Sequence, residues 1–396
     1  MSELYDLIVI GGGSVGLSTA YHADKHNLRT LVIERYSYFN NSGSSAGASR
    51  QYRVQYSQPY MTELALASES YWNELQRQTF DTLIGLVGSV WFGDPSLSSQ
   101  EGGIQAAMDT MDKLHVPYTP LNVEQIEQFG FKDLPCDYSG FFQGNGGIIN
   151  LKATQAALYN VAKRSGLVDL HAYEQVTNIE PRQGESVVVT TRDAEGEHVY
   201  HTKKLAITAG PYVNEMLAPL DLNIGLDIWE MSSAYYKKKD PTVNVPTWFV
   251  FQKPQNEQLF YGFPEVDWAN PGYIRVAPDI PDRIISDPSQ RTGIPSPKSI
   301  ALTSAWVQNH MVGLHEEPQF TSTCLIALAQ NKEELLLDYL PDNITNARNI
   351  VVYTAGWAAK FIPILGEMVL QLFESDCDFF EFDNYKIDRK NFKIKW

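Results

Sequence analysis

At 396 residues the chain is too long for one ordinary hydrophobic core and predicts two intergrown domains, and 43% hydrophobic against 20% charged residues is a globular balance. A formal net charge of −16 argues against nucleic acid or an acidic membrane surface as a partner. Three cysteines (Cys136, Cys324, Cys377) do not make a disulfide framework, no apolar run reaches membrane-spanning length, Glu3 and Asp6 stand where a secretory leader would be basic, and Lys393-Ile-Lys-Trp396 is no peroxisomal address, so a reduced, cytoplasmic protein is expected.

The first element is an apolar strand, Leu7 to Ile10, that runs into Gly11-Gly-Gly13-Ser14-Val15-Gly16 and then a helical pattern. In that order the glycines read as a phosphate-cradling turn. Gly11 allows the tight bend, Gly13 lets backbone approach a pyrophosphate, and Gly16 lets helix and strand pack closely. A second apolar strand, Thr30 to Ile33, ends in Glu34, an acid about 20 residues on, placed for ribose hydroxyls. A glycine-rich turn with no ligand would leave Glu34 unexplained. The motif does not choose between NAD and FAD.

A Gly/Ser tract, residues 42–49, follows as a closely packed loop, with Arg50 and Arg53 behind it. Their spacing would put both on one face of a helix, as surface charges or as anion-facing groups. Residues 60–80 predict an amphipathic helix, 83–92 a strand broken by Gly85 and Gly88, and 105–114 and 122–129 helices. Residues 141–150 read as turn-rich, leading into a helix over 151–166. Three strand pieces, 176–179, 187–191 and 198–201, form a meander, and Leu205 to Gly210 is another buried strand ending at a glycine, which suits a place beside the first dinucleotide strand. Residues 220–325 are rich in aromatics and prolines, and the alternation in Trp248–Phe251 and Leu259–Phe263 predicts a mixed or antiparallel sheet suited to flooring a ligand site. Residues 328–349 read as loop. Ile350 to Gly356 is a last buried strand, followed by a helix from about Pro363. The expected class is α/β with an α+β second domain. A Rossmann-like nucleotide domain (1–85, 150–220, 325–396) is interleaved with a mixed-sheet substrate domain (86–149, 221–324), without a metal site.

Three stretches together resemble the FAD-dependent amine oxidases of the monomeric sarcosine oxidase and N-methyltryptophan oxidase family, of D-amino acid oxidase-like fold: the glycine turn with Glu34, Ser322-Thr-Cys324, and Ala355-Gly-Trp357-Ala-Ala-Lys360. Within the family the chain is most similar to a branch that oxidises cyclic imino acids, through Gly88–Asp94, Leu259–Phe263, Pro278-Asp279 and Thr321–Leu325. The resemblance implies FAD held covalently, with the thiol of Cys324 joined to the flavin 8α carbon. A lone cysteine is otherwise most often an inert buried thiol. It implies a cofactor set of Gly11, Gly13, Ser14, Val15, Gly16, Glu34, Arg35, Ser45, Arg50, Val176, Ala209, Gly210, Cys324, Gly356, Trp357 and Lys360.

An amine oxidase must also grip a carboxylate, hold a neutral amine, give a hydride equivalent to the flavin and hand electrons to O₂, forming H₂O₂. Arg53 and Lys360 are the implied carboxylate binders, and a lysine inside so apolar a run as 357–363 argues for a buried task over a solvated one. Trp357 would roof a flat ring. Glu101, Tyr261 and Asp279 would handle protons, although each residue type alone reads equally as a loop acid or a core tyrosine. Family members keep an O₂-activating lysine on a substrate-domain strand. This chain has Ile274-Arg275-Val276 there, which leaves the duty to Lys360 or Arg275. The expected reaction is oxidation of piperideine-2-carboxylate or pipecolate toward picolinate by a monomer. The rivals are an N-methyl amino acid oxidase releasing formaldehyde, a non-catalytic flavin-binding scaffold and an NAD dehydrogenase.

Overall fold

The computed structural model describes residues 4–99, 102–184, 186–252, 259–376 and 378–396. Leu7, Ile8 and Val9 have no exposed surface, because parallel strands pair with both edges of their strand, Leu4–Ile10. Thr30–Glu34 lies on one side and Glu197–Ile207 on the other, in register from Leu4↔His201 to Ile10↔Ile207. Val168–Ala172 extends the sheet beyond Thr30–Glu34.

Glu197–Ile207 is one strand of 11 residues, where two were expected. Lys203 and Lys204 interrupt its apolar signal, but each is held in place. Lys203 Nζ pairs with Asp6 at 2.7 Å, and Lys204 Nζ donates to the Phe373 carbonyl. The strand serves two neighbours in turn. Its first half pairs antiparallel with Ser186–Arg192, and Leu205–Ile207 pairs parallel with Ile350–Thr354. Leu336–Tyr339, inside the stretch expected to be loop, closes that edge.

A second sheet of nine strands carries the aromatic half of the chain. Its spine is Leu226–Lys237 against Phe320–Ala329, paired from Leu226↔Ala329 to Tyr235↔Phe320, with Tyr273–Pro278, Phe260–Phe263, Thr247–Phe251 and Ser89–Gly93 following in order. The expected domain boundary at 324/325 therefore falls within a strand.

Two local expectations are corrected. Arg50 and Arg53 are not on a helix. Ser49–Tyr52 is a strand, because Gly147–Asn150 pairs with it from Tyr52↔Gly147 to Ser49↔Asn150. The turn-rich reading of 141–150 gives way to two strands, Ser139–Gln143 and Gly147–Asn150. The glycines there serve close approach. A Cβ on Gly140 would sit 2.0 Å from the Trp91 carbonyl oxygen, and one on Gly147 would sit 2.2 Å from that of Gly85.

The first helix, Ser14–Lys25, packs on the C-terminal helix, Ile362–Glu374, backbone against backbone. A Cβ on Gly366 would lie 2.3 Å from the Ser18 carbonyl oxygen. Buried His22 fixes the pair, with one ring nitrogen 2.7 Å from the Pro363 carbonyl and the other 3.0 Å from Glu367. This docking sets the turn before the last helix over the glycine turn before the first. No helix among the described residues is long and apolar enough to cross a membrane.

Candidate active site

The glycine turn is shaped by what touches it. Gly11 takes φ +103°, open to glycine and costly for other residues, and a Cβ on Gly16 would lie 1.9 Å from the Gly11 carbonyl oxygen. Glu34 is 8% exposed, and its carboxylate accepts the Gly12 and Tyr36 N–H groups, each at 2.9 Å, which knits the strand end to the turn. Arg35 pairs with Glu215 and lies 5.2 Å from the Tyr212 ring centre. Ser45 Oγ accepts the Ser14 N–H at 3.0 Å and draws the Gly/Ser loop over the helix start. Arg50 fixes that loop, donating to the carbonyls of Ser44 (2.9 Å), Ala46 (2.6 Å) and Ser49 (2.8 Å). Burial pushes its guanidinium below the ordinary range.

At the far end, Ala355 and Gly356 take φ +70° and +82°, a left-handed turn strained at the alanine. The Gly356 N–H donates to the Ala327 carbonyl at 2.8 Å and ties this turn to the strand bearing Cys324. Cys324 is half-buried, forms no disulfide and sits opposite Met231 in the ladder.

One continuous cleft joins the two ends. It is lined by Gly11, Gly13, Ser14, Val15, Glu34, Arg35, Ser45, Arg50, Val176, Ala209, Gly210, Cys324, Gly356, Trp357 and Lys360. Every expected cofactor residue is there except Gly16, whose part is close packing. An elongated dinucleotide fits this arrangement. Glycines that tolerate no Cβ line the cleft with a carboxylate beside them, and the Cys324 thiol residue lines it too.

Of the expected catalytic residues, Tyr261, Asp279, Trp357 and Lys360 line the same cleft. Glu101 lies outside the described residues. Arg53 is not in the lining. It is 2% exposed, with its guanidinium carbon 4.6 Å from the Tyr56 ring centre and 5.0 Å from that of Trp91. Lys360 is 5% exposed, its ammonium 5.5 Å from the same Tyr56 ring. Arg275 faces the cleft and donates to Ser233 Oγ at 2.8 Å and to the Ser49 carbonyl at 3.3 Å. Burial pushes the Tyr261 phenol up to about 12. Trp357 stands edge-on to Trp229, with ring centres 6.4 Å apart. Phe249 and Phe263 complete the aromatic wall. Neither was singled out from sequence, although strand alternation puts Phe263 on the face of Tyr261.

The fold and cleft define a dinucleotide-dependent oxidoreductase. The family described as FAD dependent oxidoreductase (DAO) matches residues 6–372, and the chain belongs to it. Peroxisomal sarcosine oxidase of Homo sapiens is 26% identical over 379 residues, covering 93% of this chain and 92% of its own. A putative bifunctional amine oxidase of Dictyostelium discoideum is 31% identical across 99% of this chain, which spans 38% of that relative's length. Among solved structures, NikD, described as an unusual amino acid oxidase essential for nikkomycin biosynthesis, matches with a TM-score of 0.89 and 37% identity over 100% of this chain and 98% of its own. L-Proline dehydrogenase of P. horikoshii, at 15% identity and a TM-score of 0.74, shares the fold. The protein is thus an FAD-dependent oxidoreductase of the amine and amino acid oxidase class.

Proposed function

We propose that this protein oxidises a small cyclic imino or secondary amino acid, with piperideine-2-carboxylate or pipecolate taken toward picolinate and O₂ reduced to H₂O₂. The observation that carries the reading is the cleft wall beyond Cys324. There four aromatic rings (Phe249, Tyr261, Phe263, Trp357) surround a space also faced by Lys360, Arg275 and Asp279. Flat apolar walls suit a planar ring, and the cations suit its carboxylate. The likeness to NikD, whose description names an unusual amino acid oxidase, supports the same reading.

Bound along the cleft with its ring end at Cys324, which we propose as the covalent attachment point, FAD would supply the two-electron acceptor and the route to O₂. Lys360 at the wall, backed by Arg53, draws the substrate carboxylate and so orients the C–N bond. Trp357 closes over the ring and excludes water. Tyr261, kept protonated by burial, donates a hydrogen bond, while Asp279, 7% exposed, accepts the ring N–H proton. Arg275 holds a fixed positive charge where negative charge builds as O₂ is reduced, which leaves Lys360 to the carboxylate.

A substrate panel tests the proposal: pipecolate, piperideine-2-carboxylate, proline, sarcosine and N-methyltryptophan, scored for H₂O₂ and product spectrum. Turnover of the six-membered ring acids with a near-ultraviolet pyridine band is expected. Formaldehyde from sarcosine, with no pyridine product, would move the assignment to an N-methyl amino acid oxidase. No H₂O₂ from any compound would point to a scaffold.

A further inference from the structure

Two cations are buried around one ring. The Arg53 guanidinium carbon lies 4.6 Å from the centre of Tyr56 and the Lys360 ammonium 5.5 Å from it, so the charges are no farther apart than those two distances laid end to end. Like charges buried to 2% and 5% exposure repel more than they would in water. The π-face of Tyr56 attracts both and offsets part of that repulsion. Tyr56 is itself 1% exposed and packs its ring 5.9 Å from that of Phe361, the residue after Lys360.

The backbone of Lys360 is anchored separately. Its carbonyl accepts Trp72 Nε1 at 2.8 Å and Ser68 Oγ at 3.1 Å, both from the helix Pro59–Thr79 and both at most 1% exposed. None of Tyr56, Ser68 or Trp72 lines the cleft, so none is placed to touch a ligand. Two fully buried polar side chains converge on the carbonyl of one lysine that lines the cleft.

We infer that Tyr56, Ser68 and Trp72 form a positioning unit that sets the spacing and aim of Arg53 and Lys360, and thereby the affinity of the cleft for a carboxylate. The inference rests on the proposal that these two cations serve the carboxylate. The unit acts on binding more than on the chemical step. Tyr56 holds the charges together before an anion arrives, and Ser68 and Trp72 keep the lysine from withdrawing.

The test uses the flavin-loaded enzyme and picolinate as the probe, with binding read from the flavin absorption difference spectrum. Tyr56→Leu stays apolar and removes the π-face, at the cost of a small cavity, and its Kd for picolinate is expected to rise about tenfold. KM for the turned-over acid should rise in parallel while kcat changes little, and Tyr56→Phe should restore wild-type affinity. Should Tyr56→Leu fail to load flavin, the double variant Ser68→Ala/Trp72→Phe carries the test, with the same rise expected. Wild-type affinity in whichever variant carries the test overturns the inference. Arg53→Met and Lys360→Met separate the two levels. If both bind picolinate as the wild type does, the carboxylate assignment itself has failed. If they lose binding and the positioning variants do not, only the positioning unit has.

Discussion

Replacing Cys324 with serine nearly keeps the size of a half-buried strand residue and exchanges the thiol for a hydroxyl that cannot form the thioether. The variant is expected to fold and bind FAD, then release all its yellow colour into the supernatant on acid precipitation, whereas the wild-type pellet stays yellow. A yellow pellet from Cys324→Ser would place the attachment elsewhere. Gly356 tests the other wall of the cleft. It sits at φ +82°, and a Cβ there would lie 1.7 Å from the Glu334 carbonyl oxygen. Gly356→Ala combines a left-handed penalty with a backbone clash and should cost roughly 2–4 kcal/mol, seen as a lower Tm. Unchanged melting would mean the turn relaxes freely. Gly11, Gly16 and Glu34 were legible because strand, turn, helix and acid follow one another along the chain. Phe249 and Phe263 were not, whereas Arg275 was legible from the strand position where a lysine was expected. Alternation tells which residues share a side of a strand, but a strand pattern does not say which cavity that side meets. The surroundings of Arg53 were not legible either: its guanidinium lies against the Tyr56 and Trp91 rings, behind the cleft lining.

The pairing of the first and last helices has its own electrostatic signature. Burial works against the Glu367 carboxylate, but the hydrogen bond and charge of His22 outweigh it, helped by Gln371 and His26, and bring it from 4.5 to about 2. A carboxylate lowered on folding stabilises the folded state above its unfolded value and loses that contribution as pH falls from about 4.5 to about 2. Glu367 is 16% exposed, so its shift is worth about 2–3 kcal/mol at pH 7. Glu367→Gln should be less stable by about that amount in urea at pH 7, with the gap narrowing through the acid window. A gap independent of pH would remove Glu367 from the account. Element boundaries were hardest to read where one residue type serves two ends. Lys203 and Lys204 looked like a break and instead reach out from an unbroken strand. The glycines of 140–147 looked like turns and instead admit neighbouring backbone.

Across the whole molecule, the chain enters the parallel sheet, leaves for the aromatic sheet and returns more than once. The parts of the chain around the two sheets are also bonded to one another: Gly356 N–H, just after Ile350–Thr354, to the Ala327 carbonyl of the aromatic sheet, Arg275 of that sheet to the Ser49 carbonyl, and Arg291 to the Asn41 carbonyl between loops. Calorimetry should therefore show one cooperative transition, and loss of FAD should move it to lower temperature without splitting it. Two resolved transitions in the holoenzyme would contradict that coupling. The α/β class and the repeated returns could be read from buried strands ending in glycine. The place of Leu205–Ile207 beside the first strand could also be read, but most other strand neighbours could not, because pairing partners lie far apart in the chain.

Leu205–Ile207 has Leu4–Ile10 on one edge and Ile350–Thr354 on the other, both parallel, and the late synthesis of the second has a consequence. A ribosome makes about 5–20 residues each second, so on the order of ten seconds pass between Leu205–Ile207 and Ile350–Thr354. For that time the nascent sheet presents an open backbone edge, the surface on which stray strands of other chains assemble. Every newly made copy passes through this interval with its glycine turn complete and the helix that covers it still unmade.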